Sequence, residues 1–147
     1  MKSITFVCLG NICRSPIAQG CATKLSQKYN LNLEIDSSGT SSYHNGENPC
    51  PNSIKVCKKH NIDISHYKST QFKKTDIDKF DLVVALDENN YYDLKSLGAK
   101  NVVKLGDYGY DGDDVPDPYY FNGFEGFDRV FEMIDSCVKN LFKTHFL

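Results

Sequence analysis

Apolar positions along this chain alternate between two rhythms. Ile4, Thr5, Phe6 and Val7 make a short run that suits a buried strand over residues 3–7. Ile17, Ala18, Cys21, Ala22, Leu25 and Tyr29 then recur at three- and four-residue spacings, the signature of a helix with one apolar face. Pro16 suits a first helical position, which makes Ser15 the expected N-cap. Further strands are predicted over residues 31–37, 81–86 and 101–105. A short helix is expected over residues 52–60, and another after Asp87 as N-cap, running to Leu97 and stopped by Gly98. The clearest helix is the last, where Phe127, Val130, Phe131, Ile134, Cys137, Val138 and Leu141 mark one apolar stripe.

Strands alternating with helices imply βαβ units, hence an α/β fold with a four-stranded parallel sheet and helices on both faces. No repeat, low-complexity tract or linker divides the sequence, so residues 1–147 are expected to form a single domain. Ligands of such sheets bind beyond the carboxyl ends of the strands. The segment after residue 7, the run Ser37-Ser38-Gly39-Thr40, Asp87, and the loop from Gly106 to Tyr120 would all open on that one edge.

Composition narrows the classes. Hydrophobic residues make up 40% of the 147 and charged residues 24%, a balance that supports one unstapled core. No apolar run is long enough to cross a bilayer, and Met1-Lys2-Ser3-Ile4 passes directly into the first strand, which leaves no room for a leader peptide. A cytoplasmic location is expected, with the six scattered cysteines as reduced thiols. A net charge of −2 supplies no basic stripe for a nucleic-acid backbone, so neither nucleic acid nor membrane is an expected partner.

The chemistry is concentrated in Cys8-Leu9-Gly10-Asn11-Ile12-Cys13-Arg14-Ser15. A thiol and a guanidinium six positions apart, between strand and helix, suit an oxyanion. Consecutive backbone N–H groups of Leu9, Gly10, Asn11, Ile12, Cys13 and Arg14 can curl around it. The helix N-terminus adds positive potential, and Arg14 offers a bidentate fork. The same field favours a thiolate: a free thiol titrates near ~8.5, and helix N-termini or cations lower that to roughly 3.5–7.5. Cys8 is thereby the candidate nucleophile at the base of a phosphate cradle.

With Asp117-Pro118-Tyr119-Tyr120 near the other end, this motif resembles the low-molecular-weight protein tyrosine phosphatases, and the likeness covers the whole chain. The resemblance implies a flavodoxin-like, phosphotyrosine phosphatase I-like fold with no metal and no cofactor. It implies that Cys8 attacks phosphorus, that Arg14 holds the phosphoryl oxygens, and that Asp117 protonates the leaving phenolate. Asp117, then a carboxylate, would activate the water that hydrolyses the cysteinyl-phosphate, releasing inorganic phosphate. A general acid for so poor a leaving group is worth about two to four orders of magnitude. Asn11, Ser15, Ser37 and His66 match the family's bracing network, and Ser15 is also placed to donate to the Cys8 sulfur. Cys13 matches a second loop thiol that can form a protective disulfide with the nucleophile. Tyr43, Tyr119 and Tyr120 match aromatic rim positions, which favours phosphotyrosine in proteins or peptides, and small aryl phosphates, over shorter phosphoserine. The resemblance is compatible with a monomer or weak dimer.

Other chemistries share this loop. Protein arginine phosphatases carry Thr where this chain has Ile12, and arsenate reductases of this type need two relay thiols, whose spacing Cys50 and Cys57 resemble. A dead phosphotyrosine-binding module would lack Cys8, Arg14 or Asp117, and all three are present. The segment from Asp107 to Asp117 carries five aspartates and no basic residue, which favours substrates with Lys or Arg beside the phosphotyrosine.

Overall fold

The computed structural model describes residues 1–121 and 123–147. Four parallel strands, β1 (Ser3–Cys8), β2 (Glu34–Gly39), β3 (Leu82–Ala85) and β4 (Val102–Lys104), form one sheet in the order β2-β1-β3-β4. Four α-helices connect and follow them: α1 (Arg14–Lys28), α2 (Pro51–Lys59), α3 (Glu88–Leu97) and α4 (Glu125–His145). The strand order reverses direction across β1, so the crevice beyond β1 is a topological switch point.

Both faces of the sheet are buried, and the alternation along β1 and β3 explains how. Ile4, Phe6, Leu82 and Val84 pack into a core beneath α1, α2 and α4, with Ile17, Val56, Phe127, Ile134 and Leu141. Val7, Val83 and Ala85 point the other way, toward Phe72, Phe80, Leu94 and Val102 under α3. α4 is held almost entirely by its apolar stripe, since ten of its residues are buried. A fully buried Leu or Phe contributes about 1.5–3 kcal/mol of transfer free energy, so this face is what fixes the helix to the sheet.

Two expected boundaries move by more than one residue. The strand predicted over residues 31–37 lies at Glu34–Gly39, because its register is set by β1, from Ser3 opposite Glu34 to Cys8 opposite Gly39. The first helix begins at Arg14 with Cys13 as N-cap, two residues earlier than an N-cap at Ser15 would give, and no side chain caps it. The N–H groups of that first turn therefore have no intrahelical partner and remain open to a ligand. Asp87 and Gly98 cap α3 as expected: the Asp87 carboxylate accepts the Asn90 N–H at 2.8 Å, and Gly98 is left-handed at φ 106°.

Gly39 marks where β2 meets the loop after β1. A Cβ there would lie 2.6 Å from the Leu9 carbonyl oxygen, so only glycine lets the two backbones come this close. Thr40 N–H and Ser41 N–H then donate to the Cys8 and Leu9 carbonyls at 2.9 and 3.0 Å, fixing the loop from below.

Candidate active site

The loop from Cys8 to Arg14 sits at the carboxyl edge of the sheet, over a cavity of about 540 Å³. Cys8, Leu9, Gly10, Ile12, Cys13 and Arg14 line its floor, while Ser41, Tyr43, His44, Asp117 and Tyr119 form its walls. Residues from three separate sheet-edge loops thus meet at one opening.

Asn11 organises the floor. It is buried and left-handed at φ 57°, a conformation Asn adopts more readily than most residues. Its Nδ2 donates to Ser15 Oγ at 2.8 Å and to Ser37 Oγ at 2.9 Å, and its Oδ1 accepts the Thr70 N–H at 3.0 Å. Its backbone N–H points to Cys8 Sγ at 3.3 Å. Because Ser15 Oγ accepts from Asn11, its own proton is free for Cys8 Sγ at 3.0 Å; the competing Ser38 carbonyl lies farther, at 3.4 Å. Ser37 in turn donates to Gln19 Oε1 at 2.6 Å, and Ser69 Oγ donates to the Gly10 carbonyl at 2.8 Å.

His66 does not join this network. It is exposed and edge-on to Tyr67, with ring centroids 4.7 Å apart. The positions expected of it are taken by the Thr70 amide and the Ser69 hydroxyl, on the extended segment that reaches back to Gly39. Small polar groups and a backbone N–H leave no sequence signature, and neither do Gln19 and His44. The latter lines the cavity and bonds Glu47 Oε2 through Nδ1 at 2.7 Å.

Arg14 is anchored from behind. Its Nη1 donates to Asp87 Oδ2 at 2.8 Å and to the Val115 carbonyl at 2.9 Å, with side-chain exposures of 11% for Arg14 and 17% for Asp87. Burial opposes its charge, but Cys8, Asp87 and Asp117 outweigh this and raise its pKa above the usual value. Asp87 therefore has two duties, capping α3 with one oxygen and holding the guanidinium with the other. The second was not visible in the sequence.

Asp117 lies at the cavity wall, where its Oδ1 accepts the Tyr119 N–H at 3.0 Å across the turn Pro118–Tyr120. Tyr43 and Tyr119 line the cavity, Tyr43 at 85% exposure and Tyr119 edge-on to Phe127. Tyr120 does not wall this cavity. It faces a neighbouring cleft with Asp87, Asn89 and Asp93, because Pro118–Tyr120 is a single helical turn that sends successive side chains apart. The acidic loop is less bare than its sequence suggests, since Lys104 Nζ reaches Asp114 Oδ1 at 2.9 Å.

The cysteines depart from expectation. Cys13 is bonded to Cys50, 37 positions away, with Cα atoms 5.4 Å apart; Cys8 is free. Neither a Cys8–Cys13 bond nor a Cys50–Cys57 pairing is present among the described residues. The reason is the chain path: Cys13 caps α1 and Cys50 caps α2, and Cys50 N–H donates to the Ile12 carbonyl at 2.7 Å. Cys57 points into the core, where burial pushes its thiol up to about 12. No group of three or more His, Cys, Asp or Glu among the described residues could hold a metal ion.

Residues 3–145 match the family model described as low molecular weight phosphotyrosine protein phosphatase. The low molecular weight protein-tyrosine-phosphatase PtpA of Staphylococcus aureus is 38% identical over 146 residues, covering 96% of this chain and 92% of that protein. A crystal structure of a protein tyrosine phosphatase from Entamoeba histolytica superposes with a TM-score of 0.91 at 34% identity, covering 98% of this chain and 96% of that one. The crystal structure of DARP, a Drosophila arginine phosphatase, superposes with a TM-score of 0.91 at 25% identity, covering 100% and 99%.

Proposed function

The chain belongs to the low-molecular-weight phosphotyrosine protein phosphatase family and is a phosphatase of phosphoprotein substrates; from that premise we propose how its own residues divide the work. Cys8 is the nucleophile, and Arg14 with the loop amides holds the phosphoryl oxygens. Asp117 is the general acid and then the general base. The observation that carries this reading is the convergence on one cavity of Cys8 and Arg14, from the loop after β1, with Asp117, from a loop about a hundred positions away.

A phosphate monoester hydrolyses slowly in water, so positioning and charge stabilisation must supply the acceleration. With Arg14 fixed by Asp87 and Val115, its remaining donors are pre-oriented before substrate enters. The Cys8 sulfur attacks phosphorus in line with the ester oxygen; the P–O bond breaks and Asp117 delivers its proton to the departing phenolate. In the second half Asp117 takes a proton from water, which attacks the phosphocysteine. Ser15 donates to the sulfur as it leaves, a role its 3.0 Å contact with Cys8 supports.

The rim favours an aryl substrate. Tyr43 and Tyr119 flank the opening, and Ile12 presents an apolar side chain on the floor, which suits a phenyl ring better than a guanidinium. The aspartates that Lys104 leaves unpaired, Asp107, Asp111 and Asp113, are exposed, and they favour a basic residue beside the phosphotyrosine through steering.

Two variants test the roles. Cys8→Ser abolishes turnover while retaining phosphate binding. Asp117→Ala slows phosphotyrosine by about two to four orders of magnitude but spares aryl phosphates whose leaving groups need no proton. Equal losses on both substrate types would contradict the role given to Asp117, and an active Cys8→Ser would end that of Cys8.

A further inference from the structure

We propose that Cys8, Cys13 and Cys50 form a three-thiol relay that reduces a hydroperoxide and returns the nucleophile to its free state. The inference rests on the reading of Cys8 as nucleophile, but its first readout, which cysteines are joined, is independent of turnover. Three observations carry it. Cys8 and Cys13 line the same cavity. Cys13 is bonded not to Cys8 but to Cys50, while Cys8 remains a free thiol. The backbone brings the partners together without that bond, since Cys50 N–H donates to the Ile12 carbonyl at 2.7 Å and Ser53 Oγ to the Cys13 carbonyl at 3.1 Å. The other three cysteines stand apart: Cys21, Cys57 and Cys137 are buried in the core, with their thiols pushed up by burial.

The steps balance. Cys8 thiolate attacks one peroxide oxygen, the O–O bond breaks, and a sulfenic acid forms as alkoxide or hydroxide leaves. The Cys13 thiol attacks the sulfenic sulfur, releasing water and joining Cys8 to Cys13. Cys50 gives its proton to the displaced oxygen anion, and its thiolate attacks the Cys13 sulfur, expelling Cys8 as thiolate. Two electrons from Cys13 and Cys50 have reduced one hydroperoxide to an alcohol and water, or hydrogen peroxide to two waters. The Cys8 sulfur is the one expelled because hydrogen-bond donors already meet it as it leaves, and Cys13 then stays joined to Cys50, the pairing that the structure holds. Cys8 is held by the Asn11 N–H at 3.3 Å and Ser15 Oγ at 3.0 Å, with the Arg14 charge nearby. The structure corresponds to the end of the sequence: strap closed, nucleophile restored.

Cys50 is thus the residue that distinguishes a reversible block from self-repair. The experiment uses reduced, desalted protein given one equivalent of hydrogen peroxide, followed by non-reducing peptide mapping and activity measured without added thiol. The wild type is expected to yield the Cys13–Cys50 peptide and keep most of its activity. Cys50→Ser is expected to stop at Cys8–Cys13 and lose activity about ten-fold or more until dithiothreitol is added. Should Cys50→Ser fail to fold, the wild-type peptide map decides alone. A Cys8–Cys13 peptide, a Cys8 sulfinic acid, no Cys13–Cys50 peptide, or equal inactivation of both proteins would overturn the relay. Absence of phosphatase activity in every form would instead overturn the reading of Cys8, leaving the map to judge the relay.

Discussion

Replacing Asn11 separates the two reasons this residue is where it is. Its side chain makes three hydrogen bonds, to Ser15 Oγ, Ser37 Oγ and the Thr70 N–H, at 2.8, 2.9 and 3.0 Å. At a net of about 0.5–1.5 kcal/mol each, their loss costs roughly 1.5–4.5 kcal/mol. The residue also sits at φ 57°, where an alanine adds about 1–2 kcal/mol of left-handed strain. Asn11→Ala is therefore expected to lose about 3–6 kcal/mol in urea unfolding at constant m-value. Asn11→Gly escapes the strain but gives back about 0.5–1 kcal/mol through its freer unfolded chain, so it should be about 0.5–1 kcal/mol more stable than the alanine. Both should also lower kcat/KM, because Ser15 is no longer oriented toward Cys8 and the cradle floor is no longer pinned to Ser37. Equal stabilities for Ala and Gly would refute the strain argument. A glycine variant as stable and active as the wild type would refute the network argument.

Asp87 offers a similar separation. Asp87→Asn keeps the α3 cap but removes the charge opposite the nearly buried Arg14, so stability should fall by about 1.5–3 kcal/mol and kcat/KM should fall with it, by about ten-fold or more, as the guanidinium loses its anchor. Asp87→Ala should add about 0.5–2 kcal/mol of destabilisation from the lost cap, measured by thermal or urea unfolding. Alkylation should discriminate among the free thiols: iodoacetamide near neutral pH is expected to label Cys8 and to be slowed by inorganic phosphate. Cys57, held at about 12, and Cys137, at about 11, should stay unmodified until the protein unfolds, as peptide mapping would show.

Much of this was legible in the sequence, and for a physical reason: β1, the loop and α1 are consecutive, so local pattern and motif point to the same place. The alternation in β1 and the stripe on α4 required only burial to be read. What was not legible depends on tertiary pairing. β2 shifts because Asp36, Ser37, Ser38 and Gly39 have little strand propensity of their own and are extended by their register with β1. Asp87 looked like a cap because a cap is local, whereas its bond to Arg14 spans 73 positions. His66 looked like a network member, yet the Thr70 amide fills that place, and every non-proline residue carries such an amide. Cys50 gave no sign of its partner, because a pairing follows from where two helix starts converge rather than from spacing.

With Cys8 as nucleophile, phosphorus is transferred to the Cys8 sulfur. Quenching steady-state turnover of a labelled aryl phosphate in denaturant, then mapping the labelled peptide, tests this directly. The expected product is a phosphocysteine at Cys8 in the peptide containing Leu9 to Arg14, formed and discharged at the rate of turnover. Label on any other residue, or turnover with no covalent phosphoprotein and full activity in Cys8→Ser, would contradict it.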